Sequence, residues 1–264
     1  MPIKIMLKVE LHTHTKRSYD ATTDYHDIIK RCLKKAIDVL AVTDHNEIEG
    51  AWRLQEMAPF RVIIGQEILT KNGEIIGLFL KKYIAPNKPL NQTIKEIKAQ
   101  GGLVYLPHPF DKTTRKTTLS FDTILERIEE IDIVEVHNGR TIIPSDNYRA
   151  NEFAKNYQKL KSVGSDAHTK MEFGRNYIEM PDFSSPRQFL KSLSSAELHT
   201  SRPIAWVFLL TKWARFRKRH NRPMRKTAPR KAGVGCQLCG SNQYLVIYKK
   251  RGVARKQYLI SDDH

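Results

Sequence analysis

The stretch Ile5-Met-Leu-Lys-Val-Glu-Leu-His-Thr-His-Thr15 decides how the rest of the chain reads. A short apolar run, of the length of a buried strand, ends in two histidines two positions apart. On extended backbone His12 and His14 point to the same side, so their imidazoles can reach one common point. Working outward, apolar runs at 39–43, 62–65, 75–80, 103–106, 131–136 and 160–163 read as further strands. Between most of them lie stretches with helical spacing, such as Ile28, Ile29, Cys32, Leu33 and Ala36, or Ile124, Leu125 and Ile128. This alternation predicts an α/β fold with a largely parallel sheet and helices packed on it. Runs 62–65 and 75–80 are joined through Asn72-Gly73, a hairpin signal, so that pair is predicted antiparallel. No internal repeat is present.

The polar residues at the strand ends share one chemistry. The first run ends in His12 and His14, the second in Thr43-Asp44-His45, the third in Gly65-Gln-Glu67, and the fourth opens at Glu74. Later runs lead into Pro107-His108-Pro109, Glu135-Val-His137-Asn138 and Gly164-Ser-Asp166-Ala-His168. In α/β barrels the C-terminal ends of the strands form the face on which sites are built. Each motif alone has an ordinary structural explanation: Asp44 as a helix cap, Pro-His-Pro as a rigid loop. Their common phase along successive strands is what points to a metal cluster. Imidazole with carboxylate suits Zn, Mn or Fe, and a carboxylate such as Glu67 can bridge two cations. Two or three such ions clamp a phosphate and activate water.

These motifs, spread over about residues 6–200, resemble the PHP family, the "polymerase and histidinol phosphatase" phosphoesterases. The resemblance implies a distorted (β/α)7 barrel, a cluster of two or three divalent ions and a phosphoesterase activity. It implies that His12, His14, Glu67 and Asp166 hold a first metal and that Glu67 bridges to a second held by His108. His45, His168 and Asp20, from the loop Ser18-Tyr-Asp20, would hold a third. Glu74 stands where many relatives carry a histidine and is expected as a second-metal ligand. His137 stands where many carry an aromatic residue, and as ligand, phosphate contact or pocket wall it stays open. Glu67 and Asp166 are the expected catalytic carboxylates. Arg140, and after it Arg175, are candidates to grip phosphate through two hydrogen bonds. The motif set is similar to the branch that includes nucleoside-bisphosphate phosphatases and 5′→3′ exonucleases. The expected substrate is therefore a nucleotide, short oligonucleotide or other phosphorylated small molecule. Histidinol phosphate is the enzymatic alternative. A nucleic-acid-binding protein with a structural PHP unit is the non-enzymatic one.

Charge separates the chain into residues 1–200, the expected barrel, and 201–264, a basic extension. Of the net charge of +17, most lies after residue 200, where 16 Lys and Arg face 2 acidic residues. Such a segment favours polyanions. It is expected to contact nucleic acid, with interfacial binding to anionic membrane as the rival. The aromatics Trp206, Trp213 and Phe216 are expected to pack on the barrel. Cys236-Gln-Leu-Cys239 is half of a zinc ribbon, and with only three cysteines a complete four-ligand site within one chain is not expected. No run of about 18 apolar residues and no leader-like segment is present, and the cysteine usage fits a reducing cytoplasm.

Overall fold

The computed structural model describes residues 6–112, 115–204, 207, 210, 211, 213 and 216, and the strand residues 246–250 and 253–257. Strands and helices alternate in the order β1 (Met6–Glu10), α1 (Tyr25–Lys34), β2 (Val39–Val42), α2 (Glu49–Met57), β3 (Arg61–Leu69), β4 (Glu74–Leu78), α3 (Leu90–Ala99), β5 (Leu103–Leu106), α4 (Phe121–Glu126), β6 (Ile133–Asn138), α5 (Pro144–Asn156) and β7 (Leu160–Gly164). Then come β8 (Tyr177–Pro181), α6 (Pro186–Leu193) and β9 (Glu197–His199). The apolar runs become strands because both of their faces are covered. β2 and β5 are buried at every position, and Ile28, Cys32, Ile94 and Ile97 bring the helices down onto the sheet.

The sheet runs β7-β6-β5-β4-β3-β2-β1-β8-β9. β1, β2 and β3 pair in parallel, as do β5, β6 and β7, while β4 runs antiparallel to both neighbours. The turn before β4 is the expected one: the Thr70 N–H donates to the Gly73 carbonyl at 2.9 Å. Gly73 has φ +140°, and a Cβ there would sit 2.7 Å from the Thr117 carbonyl oxygen.

The seven strands come close to closing into a barrel. Past the end of β1, Thr13 bridges in parallel to Ala167, just after β7. The Asp166 N–H donates to His12 O and the His14 N–H to Ala167 O, both at 2.9 Å. Met6 to Val9 of β1 instead pair antiparallel with β8, so β8 and β9 extend the sheet beyond β1 and distort the barrel. The sequence reading lacks these two strands. β8 is short, half-buried and ends in a proline, so it carries no continuous apolar run.

The chain forms two compact units, Met1–Asn221 and Arg222–His264. In the first, Val207 and Thr211 lie buried in the segment that follows residue 200. Thr211 Oγ1 accepts a 2.5 Å hydrogen bond from Arg140. Trp213 and Phe216, expected to pack on the barrel, are instead 53% and 61% exposed. The helical repeat turns Val207 and Thr211 inward in their place. In the second unit β10 (Val246–Lys250) and β11 (Val253–Gln257) form an antiparallel pair. Trp206, Cys236 and Cys239 lie outside the described residues. No helix among the described residues is long and apolar enough to cross a membrane.

Candidate metal centre

Four donor atoms surround one point where β1, β3 and β7 end. His12 Nε2 lies 3.4 Å from Glu67 Oε2 and 3.6 Å from Asp166 Oδ1. His14 Nε2 lies 3.4 Å and 3.2 Å from the same two oxygens. A tetrahedral ion with bonds of about 2.1 Å needs donors about 3.4 Å apart. All four side chains are fully buried. His14 Nε2 and Asp166 Oδ1, although adjacent, make no hydrogen bond. Leaving such atoms buried and unpaired is costly, and a shared cation removes the cost. The residues therefore fit a bound divalent ion.

Two further groups flank the first. Glu67 Oε1 faces His108 Nε2 at 3.1 Å, so the two oxygens of one carboxylate look toward different imidazole groups. On the other side Asp20 Oδ1 meets His168 Nε2 at 3.2 Å, and Asp20 Oδ2 meets His45 Nε2 at 3.7 Å. His45 Nδ1 faces Glu67 Oε2 at 3.1 Å and Glu74 Oε1 at 3.6 Å. Glu74 thus groups with His45 and Glu67 rather than with His108; the antiparallel course of β4 is what puts its first residue at the site end of the sheet.

In three of the imidazoles the second nitrogen is fixed by another group. His12 Nδ1 donates to Glu135 Oε1 at 2.9 Å. His14 Nδ1 donates to Ser18 Oγ at 3.0 Å, and that hydroxyl donates onward to Asp44 Oδ1 at 3.0 Å. His168 Nδ1 donates to the Asp166 carbonyl at 2.7 Å. In each ring Nδ1 carries a proton and Nε2 faces the cluster, so Nε2 is the atom that would bind an ion in place of a proton. The candidate ligands His108 and Asp166 have positive φ values of +30° and +50°. Backbone held in that region concentrates at functional sites.

The electrostatics are those of a cation site. Burial lowers the His14 pKa to about 3, helped by His168 and His45 beside it. Burial works against ionised Glu67, yet His45 and His12 hold its carboxyl well below the usual range. For His12 burial is likewise outweighed, here by Glu135, Asp166 and Glu67, and its pKa rises well above normal. The same negative field attracts a divalent ion.

A model of the PHP domain matches residues 10–201, most of the chain. The chain belongs to the PHP family. It is 37% identical over 196 residues to the uncharacterized protein MJ0417 of Methanocaldococcus jannaschii, covering 71% of this chain and 79% of that one. Among solved structures it resembles a two-domain protein of Bacteroides vulgatus containing a predicted PHP-like metal-dependent phosphoesterase, with TM-score 0.59 and 19% identity. That match covers 74% of this chain and 66% of the other. The lesion-specific endonuclease PfuEndoQ of Pyrococcus furiosus gives TM-score 0.54 and 12% identity over 74% of this chain and 58% of its own. At these identities the two solved structures establish a shared fold.

Within this PHP barrel the structure brings together His12, His14, Asp20, His45, Glu67, Glu74, His108, Asp166 and His168. It places three expected residues elsewhere. Arg140 is buried and donates through Nε to Glu172 at 2.8 Å. Arg175 donates to the Arg202 carbonyl at 3.0 Å. His137 lies at the wall of a cavity of about 920 Å³ shared with Thr141, Asn147 and Ser201. A β-bulge explains this: the register of β6 against β7 shifts between Glu135 and His137. Two positions of β6 then stand opposite one of β7, so Glu135 points into the site and His137 away from it. The sequence reading gave Glu135 no role. It accepts from His12, Tyr105, the His108 N–H and Asn138. Its signal was its place at a strand end beside the more conspicuous His137. Arg115, in the loop after His108, was also missed. It lies against Asp166, and no periodicity marks it.

Proposed function

We propose that this chain is a metal-dependent phosphoesterase that hydrolyses phosphoester bonds of nucleotides or short oligonucleotides. The observation that carries the reading is the tetrad His12, His14, Glu67 and Asp166, with donor spacings of 3.2 to 3.6 Å. Those four would hold one divalent ion, Glu67 and His108 a second, and His45, His168 and Asp20 a third, with Glu74 beside His45. When bound, such ions supply positive charge to phosphoryl oxygens and lower the pKa of water. The chain's own groups do the rest. Glu135, Ser18 and the Asp166 carbonyl keep the ring protons on Nδ1 of His12, His14 and His168. Full burial of the tetrad excludes bulk water and strengthens every charge interaction there. Mixed imidazole and carboxylate donors favour Zn, Mn or Fe.

Support for a nucleotide substrate is of two kinds. One relative in fold is a lesion-specific endonuclease. The extension after residue 200 carries 16 Lys and Arg, which attract phosphate chains. The test is metal content of the purified chain, followed by a screen of phosphomonoesters, nucleotides and oligonucleotides with Mn, Zn and Fe. Two or three ions per chain and turnover of a nucleotide are expected. Glu67→Gln weakens the bridging charge and should lower both metal content and rate. Wild-type occupancy and rate in that variant would remove Glu67 from the site. A metal-free, inactive chain that still binds nucleic acid would overturn the enzyme reading.

A further inference from the structure

Arg115 holds a position that the reading of Arg140 and Arg175 did not anticipate. It follows His108 by seven residues, and its side chain is only 16% exposed. Nε donates to Asp111 Oδ2 at 3.3 Å, and Nη2 donates to Asp166 Oδ2 at close range. Asn138 Nδ2 reaches the same Asp166 oxygen at 3.3 Å. Asp166 is therefore divided: Oδ2 takes Arg115 and Asn138, while Oδ1 faces His12 and His14. The third guanidinium nitrogen, Nη1, makes no hydrogen bond among the described residues.

This arrangement differs from a simple ion pair. Two nitrogens are anchored on carboxylates, which sets the plane of the guanidinium and removes most of its conformational freedom. The remaining nitrogen, with its two N–H groups, belongs to a guanidinium held against the cluster residue Asp166. A planar cation fixed in this way suits recognition of phosphate oxygens. By contrast, Arg140 Nε and Nη2 are engaged with Glu172 and Thr211 in a buried setting.

Resting on the phosphoesterase reading above, we propose that Arg115 grips the phosphoryl group of the substrate through Nη1 while its other nitrogens stay on Asp111 and Asp166. The ligand class is a phosphate monoester or diester, recognised at the phosphate rather than at the leaving group.

The experiment uses the full, metal-loaded chain and inorganic phosphate as the probe. Phosphate affinity is measured by calorimetry, alongside metal content, melting temperature, and kcat and KM on p-nitrophenyl phosphate. The variants are Arg115→Gln, Arg115→Lys and Asp111→Asn. A lost charge-assisted grip is worth roughly 10- to 100-fold in affinity. Arg115→Gln should therefore weaken phosphate by that factor and raise KM, at unchanged metal content. Arg115→Lys should recover part of the affinity by restoring a point charge. Asp111→Asn keeps the guanidinium but loosens its anchor, and should weaken phosphate several-fold. If Arg115→Gln proves unfolded by its melting curve, the other two variants decide. Unchanged phosphate affinity in folded, loaded variants overturns the proposal. Loss of metal with unchanged phosphate affinity per loaded chain overturns it too, because Arg115 then only positions Asp166. If the wild type itself neither binds phosphate nor cleaves any phosphoester, the phosphoesterase reading fails and this proposal with it.

Discussion

Replacing Glu135 with glutamine tests the ligand geometry without touching a ligand. The carboxylate is fully buried and accepts four hydrogen bonds, two at each oxygen. In Glu135→Gln the amide oxygen can keep the His108 N–H and the Asn138 amide. The new NH2 then faces His12 Nδ1 and the Tyr105 hydroxyl. Tyr105 can accept from it, but His12 must also become an acceptor at Nδ1. Its proton moves to Nε2, the atom that faces Glu67 and Asp166, and an N–H there cannot donate a lone pair. Loss of a group that orients a ligand typically costs 10- to 100-fold in metal affinity, roughly 1.4 to 2.8 kcal/mol. Stability should fall less than in a truncation, since the His108 and Asn138 donors keep their acceptor and only the Tyr105 O–H loses one. Glu135→Ala would instead leave the Tyr105, Asn138 and His108 donors unpaired, at about 1 to 3 kcal/mol each, and is expected to unfold the barrel. Glu135 also raises the proton affinity of His12, so its removal relieves proton competition and partly masks the effect near neutrality. The titration, against a chromophoric chelator, is therefore run across a series of pH values, so that proton competition separates from ligand geometry. Equal metal affinity in wild type and Glu135→Gln, with an unchanged melting temperature, would refute the assigned tautomer and with it the ligand role of His12 Nε2.

Other consequences follow from single contacts. Gly164 has no space for a side chain: a Cβ would lie 2.1 Å from Glu135 Oε1 and 2.6 Å from His12 Cβ. Gly164→Ala should therefore displace both groups, lowering the melting temperature and the metal content together; a change in neither would show that the packing relaxes freely. Asp24 caps α1 by accepting from the His26 N–H at 3.1 Å and pairs with Lys16 at 2.5 Å. The Lys16 bond, foremost, holds its pKa at about 2. Because that value lies below the ordinary one, the stabilisation is full above about pH 4 and is lost as pH falls toward 2. Asp24→Ala should cost about 1 kcal/mol at neutral pH, mostly for the cap since the pair is exposed, and melting curves should converge with wild type in acid. Cutting the chain after Asn221, where the first compact unit ends, should leave turnover of a small phosphomonoester unchanged. The same cut removes ten of the 16 basic residues after residue 200 and should flatten the salt dependence of oligonucleotide binding; equal slopes would exclude nucleic-acid contact by residues 222–264.

Much of this protein was legible before any tertiary contact was known. The seven apolar runs, the antiparallel turn at Asn72-Gly73 and the set of strand-end candidate ligands all rest on local rules. Residues two apart on a strand share a face, so His12 with His14, and Asp166 with His168, announce themselves within a few positions. What the tertiary structure decided involves residues far apart in the chain. Glu135 meets His12 across 123 positions and Arg115 meets Asp166 across 51, and no local period records such pairs. The bulge in β6 turned Glu135 inward and His137 outward, reversing their apparent importance, because one extra residue breaks the alternation from which side-chain direction is inferred. β8 and β9 escaped notice because a half-buried edge needs no continuous apolar run. The sequence by itself determined which residues could be ligands. The packing of strands decided which of them lie within reach of one common point and that Arg115 stands beside them, because those distances depend on how remote segments meet.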